Sequence, residues 1–155
     1  MADVIATDNL LTEPQCRTLD ALLDIIVPAD AAIGMPSASN VDLMVYVNDF
    51  ANKKIDAIRD ELDSLNESSI KETETNFADL SPEDQQALTE KLRSTQRFFA
   101  VTIETQTLQC YYQHDTVLIA LGMQARAPFP EGNEVPQGDL TLLDPVRARG
   151  KIYRE

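Results

Sequence analysis

Four of the five glycines and four of the eight prolines in this chain lie in its last 34 residues. Glycine and proline both interrupt regular backbone, so the chain is punctuated at one end and almost uninterrupted before it. Charge divides the same way. Residues 1–120 carry 8 basic and 21 acidic side chains, whereas residues 121–155 carry five of each. This asymmetry predicts an acidic helical body over 1–121, followed by an extended Pro/Gly-containing tail over 122–155 that packs on the body, on a partner, or on both.

A chain of 155 residues and 17.2 kDa is long enough to bury a core without disulfides or metal. Hydrophobic residues make up 43% and charged residues 25%, which excludes general disorder. The net charge of −13 argues against a nucleic-acid ligand, whose phosphates need Lys and Arg. No apolar run reaches the length of a spanning helix. Five glycines are too few for a nucleotide-binding α/β domain. The first residues have no basic segment and no twin arginine, so the expected location is the cytoplasm, with export alongside a partner as the alternative.

Local signals predict helices throughout the body. Thr12-Glu13-Pro14-Gln15 has the capping-box pattern, with proline in a first turn whose amides lack partners anyway. Cys16, Leu19, Leu22, Leu23 and Ile26 follow on one face until Pro28 ends the run. Residues 28–39 read as a loop, and Asn40 can cap the next helix. Met44, Val47, Ala51, Ile55, Ile58, Leu62 and Leu65 then form one stripe, compatible with a single long helix or with two broken near Asn52. The face opposite, with Lys53, Lys54, Asp56, Arg59, Asp60, Glu61 and Asp63, reads as solvated surface. Ser81-Pro82-Glu83-Asp84 opens a further helix. A helix from Phe98 through Tyr112 is apolar around much of its circumference, which predicts a central position. Asp115 to Leu121 is a short helix, with Gly122 as its left-handed C-cap. No stretch alternates like a strand. The predicted fold is all-α, a small helical bundle with a long irregular tail.

The tail shows no helix or strand pattern longer than a turn, yet it carries Phe129, Val135, Leu140, Leu142, Leu143, Val146, Ile152 and Tyr153. A solvated linker lacks such side chains, and an irregular segment cannot build its own core. The tail is therefore expected to lie against the helical body or another protein. Its Arg147, Arg149, Lys151 and Arg154 can pair with carboxylates on either.

Reactive groups are sparse. His114 is the only histidine, and Cys16 and Cys110 are the only cysteines. Cys110 and His114 share a helical face at a spacing of four, but the plainer reading makes both thiols buried apolar residues. One histidine cannot complete a di-iron bundle site or a zinc site. No EF-hand loop, haem-attachment motif or phosphate loop is present. Glu13, Asp20, Asp24 and Asp30 are most simply solubilising surface. Neither catalytic nor metal-binding residues are assigned.

Certain motifs resemble the gluconate 2-dehydrogenase subunit 3 family. These are Leu11-Thr12-x-x-Gln15-x-x-x-Leu19 running to Ile25-Ile26-Val27-Pro28-Ala29-Asp30, then Val41-Asp42, then Phe77-x-x-Leu80-Ser81-Pro82-Glu83 and the Phe98-Phe99 helix. Tyr111-Tyr112-x-x-Asp115-x-Val117-x-x-Ala120-Leu121-Gly122 leads into Arg126-Ala127-Pro128-Phe129-Pro130-x-Gly132. Gly138-Asp139-Leu140, Leu143-Asp144-Pro145-Val146-Arg147-x-Arg149 and Ile152-Tyr153-Arg154 complete a likeness over residues 10–155, densest in the tail.

The resemblance implies a cofactor-free, non-catalytic small subunit. Its partner would be a large glucose-methanol-choline type flavoprotein that binds FAD and oxidises a sugar, sugar acid or alcohol. Some complexes of the family add a cytochrome c subunit. The small subunit would aid the stability, folding or export of the large one. Combined with the unfoldable tail, this makes Arg126, Pro128, Phe129, Pro130, Asp139, Leu143, Val146, Arg147, Arg149 and Tyr153 the expected partner-binding residues. Asp139 has a second expected use, bonding its own backbone. The competing reading is a free-standing helical interaction protein whose tail is docked on itself.

Overall fold

The computed structural model describes residues 10–126, 129–130, 132 and 137–150. Among them are seven α-helices and no strand, so the fold is all-α. The chain divides into two units, Met1–Ala125 and Arg126–Glu155. No helix among the described residues is long and apolar enough to cross a membrane.

Helix α1, Glu13–Ile26, opens on the expected capping box. The Gln15 amide donates to Thr12 Oγ1 at 3.4 Å, and the Thr12 amide donates to Gln15 Oε1 at 2.9 Å. Its buried face differs from the expected one. Gln15, Thr18, Leu19, Leu22 and Leu23 face inward, while Cys16 is exposed. The first turn of that face is polar and satisfied by hydrogen bonds. Gln15 Nε2 donates to Asp63 Oδ1 at 2.9 Å, Thr18 Oγ1 donates to the Pro14 carbonyl at 2.9 Å, and Asn66 Nδ2 donates to Thr18 Oγ1 at 2.7 Å. These bonds turn the helix about one residue away from the purely apolar alignment.

After Pro28, Asp30 and Met35 exchange two backbone hydrogen bonds of 2.9 Å around Gly34, whose φ of 70° suits glycine. A 3₁₀ turn at Ala38–Asn40, capped by Ser37, takes up Asn40. Asp42, not Asn40, therefore precedes α2, Leu43–Phe50. The apolar stripe is broken into two helices. Ala51 at φ −143° and the 3₁₀ turn Asn52–Lys54 separate α2 from α3, which runs from Ile55 to Thr73, beyond Leu65. Val47, Ile58, Leu62 and Leu65 are fully buried, as the stripe requires.

The charged face of α3 is not only solvated surface. Arg59 Nε donates to the Leu10 carbonyl at 2.8 Å, and Asp63 accepts from Gln15. Glu61 accepts from the backbone amides of Thr102 and Ile103, both at 3.0 Å. Its carboxylate thus caps a helix some forty residues downstream.

That helix, α5, spans Val101–Tyr111 and starts later than the sequence suggests. Ala100 sits in the left-handed region at φ 50°, which stops the helix from extending back to Phe98. Phe99 is buried and Phe98 is 77% exposed. Helix α4, Pro82–Thr95, lies between; Ser81 caps it, accepting from the Asp84 amide at 3.2 Å, and Leu88, Thr89 and Leu92 are buried. Helix α6, Asp115–Ala120, ends as expected with Gly122 at φ 75° and the Met123 amide bonded to the Leu118 carbonyl at 2.8 Å.

The core gathers Leu22, Leu43, Ile58, Leu62, Phe77, Ile103, Tyr111 and Val117. Tyr111 satisfies its hydroxyl by donating to the Pro36 carbonyl at 2.6 Å. Helix α5 packs on α1, α2 and α3, but it is central on one side only. Ile103, Gln106, Thr107, Cys110 and Tyr111 point inward, while Val101, Leu108 and Tyr112 are 44%, 44% and 52% exposed.

Candidate partner interface

Within the second unit the expectation of an irregular segment needs correction. Residues 140–148 are helical, as a 3₁₀ turn at Leu140–Leu143 followed by α7, Asp144–Ala148. The local cause is a cap. Asp139 Oδ1 accepts from the Thr141 amide at 3.0 Å and from Thr141 Oγ1 at 2.6 Å. These bonds hold the Asp139 carboxyl below the ordinary carboxylate range. Pro145 occupies the first turn, where no amide is missed. The Gly150 amide donates to the Arg147 carbonyl at 3.4 Å, with Gly150 at φ 70°.

The expected contact residues fall in two groups. Leu143, Val146, Arg147 and Arg149 lie on or beside the short helix that Asp139 caps. Arg147 Nη1 pairs with Asp144 Oδ1 at 3.2 Å, an exposed pair that contributes little stability. Phe129 and Pro130 lie in the other group with Arg126, whose Nη2 donates to the Gly132 carbonyl at 2.6 Å. Pro128 and Tyr153 lie outside the described residues. No described residue of this unit is buried. Phe129 is 87% exposed and Leu142 74%.

The body carries a second surface, of which the motifs name only Asp42 and Asp115. A groove runs between α2 and α5 as two adjoining hollows of about 460 and 450 Å³, which share Tyr46 and Phe50. The two rings stand 5.3 Å apart, and Phe50 is 77% exposed. Asp42 and Asp115 line the first hollow, and Lys53 and Lys54 the second. The available sequence signal is the scarcity of charge in α2 and α5, one acidic residue each.

Cys110 and His114 do come together at this groove. Cys110 is buried, however, and burial together with the nearby Asp42 charge pushes its thiol pKa up. The thiol therefore stays protonated, which is the wrong state for a nucleophile. Nδ1 of His114 is buried without a hydrogen-bond partner among the described residues. Among the described residues no three His, Cys, Asp or Glu side chains assemble as a metal site.

Comparison with curated proteins and with solved structures gives no match. The pattern of one family, described as gluconate 2-dehydrogenase subunit 3, matches residues 13–120. This stretch takes in α1 to α6 and stops before the tail, so the match rests on the body and not on the segment where the sequence likeness is densest. It covers well over half of the chain, and on that ground the chain belongs to the gluconate 2-dehydrogenase subunit 3 family.

Proposed function

We propose that this chain is the non-catalytic small subunit of a heteromeric FAD-dependent dehydrogenase. The large subunit, a glucose-methanol-choline type flavoprotein, holds the FAD and oxidises a sugar, sugar acid or alcohol. This chain holds no cofactor of its own and stabilises that subunit or helps it fold. The observation that carries the reading is the family match over α1 to α6, since the family is by description a subunit of a dehydrogenase. The second unit supports it. A segment with Phe129, Leu142 and Val146 exposed at 57% or more, and with no buried residue among those described, leaves apolar surface for a partner to cover. Phe129, Leu143, Val146 and Tyr153 would be the apolar anchors, and Arg126, Arg147 and Arg149 the charged contacts.

The test is co-purification from the native source. A tagged chain is expected to bring down a yellow, FAD-containing protein with dehydrogenase activity, and a chain ending at Ala125 is expected to hold it less tightly. A colourless, monodisperse monomer whose behaviour does not change on removal of residues 126–155 would overturn the proposal.

A further inference from the structure

The helices of the body differ sharply in charge. Helices α3 and α4 carry 13 charged side chains among 33 residues, whereas α2, α5 and α6 carry three among 25. Depletion of charge with enrichment of aromatics marks the core of an interface. The outward faces of the charge-poor helices carry Val45, Phe50, Val101, Leu108, Tyr112 and Ile119, each exposed by 41% or more.

The groove between α2 and α5 has polarity. Asp42, which precedes α2, and Asp115, which opens α6, stand at one end, with Asp49 between the ends. Lys53 and Lys54 stand at the other. None of these five side chains has an ion-pair partner among the described residues; Asp49 accepts only from Asn48 Nδ2, at 3.2 Å. The eight residues of α2, which lines both hollows, give the groove a length of about 12 Å, a little over two helical turns.

We infer that this groove seats an amphipathic helix of the dehydrogenase's catalytic subunit, its positive end over Asp42 and Asp115 and its negative end over Lys53 and Lys54; this rests on the subunit reading above. A helix suits the groove because both walls are helices whose own backbones are bonded internally. An extended strand would find no main-chain partners there and would leave its amides unpaired, whereas a helix arrives with them satisfied. The half-buried ring of Tyr46 and the exposed ring of Phe50 take the occupant's apolar face, and Gln106, Gln109 and Gln113 take its polar flank. The unpaired charges fix its direction, and the helix dipole favours its N-terminus over the acidic end. A second copy of this chain is a poor occupant, because two chains of net charge −13 repel.

The experiment uses the complex of the full chain with the flavoprotein that co-purifies with it. Phe50→Ala is expected to raise Kd about tenfold or more, with an unchanged melting temperature for the isolated chain. Asp42→Lys with Asp115→Lys, and separately Lys53→Glu with Lys54→Glu, are expected to weaken binding by an amount that shrinks as salt is added. A photo-crosslinker at position 50 is expected to capture a helical segment of the flavoprotein. If the flavoprotein co-purifies but Phe50→Ala leaves Kd unchanged, or the crosslink falls on a non-helical segment, this inference fails and the subunit reading stands. A crosslink to another copy of this chain also overturns it. If no flavoprotein accompanies the chain, the subunit reading fails and the inference falls with it.

Discussion

The charged wall of α3 and α4 and the charge-poor wall of α2, α5 and α6 cover the same core, and they differ in how many of their charges tie elements together. On the first wall, charge joins elements together. Glu61 reaches the amides of Thr102 and Ile103, Asp63 holds Gln15, and Lys91 pairs with Glu72 at 2.7 Å. On the second wall only Glu104 makes such a tie, to Arg93 of α4, while Asp49 and Asp115 have no ion-pair partner among the described residues and Tyr46 and Phe50 face an open groove. A carboxylate on a surface therefore cannot be read as solubilising until its bonds are known. Exposed apolar residues are equally ambiguous until their neighbours are known: scattered they mean little, and grouped along one wall they mark a contact.

This contrast is open to direct measurement. The largest effect belongs to the core that both walls share. Leu62→Ala, at a fully buried site, is expected to cost about 2–5 kcal/mol in chemical denaturation; a smaller loss would mean that the walls are not packed on a common interior. Next comes the tie between the walls. Glu61→Ala removes both amide caps of α5 and is expected to cost about 1–2 kcal/mol, with exchange protection lost first at Thr102 and Ile103. If those two amides keep their protection, the carboxylate is not their cap.

Smaller effects sharpen the same comparison. Ile119→Ala, on a residue of α6 that is 63% exposed, is expected to change stability by less than about 0.5 kcal/mol; a large loss would show that the open wall is structural after all. Asp20 on α1 has its carboxyl pKa pushed up by burial and by the charge of Asp24. A raised folded-state pKa disfavours the native state once the group ionises, so this penalty appears as pH rises through the carboxylate range. Asp20→Asn is therefore expected to raise the melting temperature slightly at neutral pH, with the gain disappearing in acid, and a thermal scan at the two pH values checks it. The smallest effect is at Asp139, whose pKa is lowered by its bonds to Thr141. Its cap is expected to persist above the ordinary carboxylate range and to be lost only as pH falls through the lowered value. The Thr141 amide resonance should report that titration.

What the sequence disclosed was local. The Thr12 capping box, the Ser81-Pro82 start and the Gly122 stop each lie within a few residues of the backbone groups they serve. The late start of α5 was not legible, because Ala100 adopts a left-handed conformation that alanine does not advertise. The role of Glu61 depends on a partner more than forty residues away, which no periodicity reports. Exposure of Cys16 follows from the polar bonds of Gln15 and Thr18 to α3, again a tertiary matter. The helix at 144–148 had readable signals, Asp139 before Thr141 and Pro145 in the first turn, but proline there reads equally as a breaker. The groove between α2 and α5 was hidden for a related reason. An aromatic such as Phe50 at helical spacing fits a core position, and only its 77% exposure distinguishes it.

The carboxylate of Glu61 also makes the start of α5 depend on a distant helix. Helix α5 has an alanine at its N-cap that makes no side-chain bond, so two of its leading amides find their acceptor on α3. A fragment holding α5 without α3 lacks that anchor. The outer side of α5, where Val101 and Leu108 are exposed, is therefore held at its leading end by a carboxylate that the sequence places about forty residues earlier.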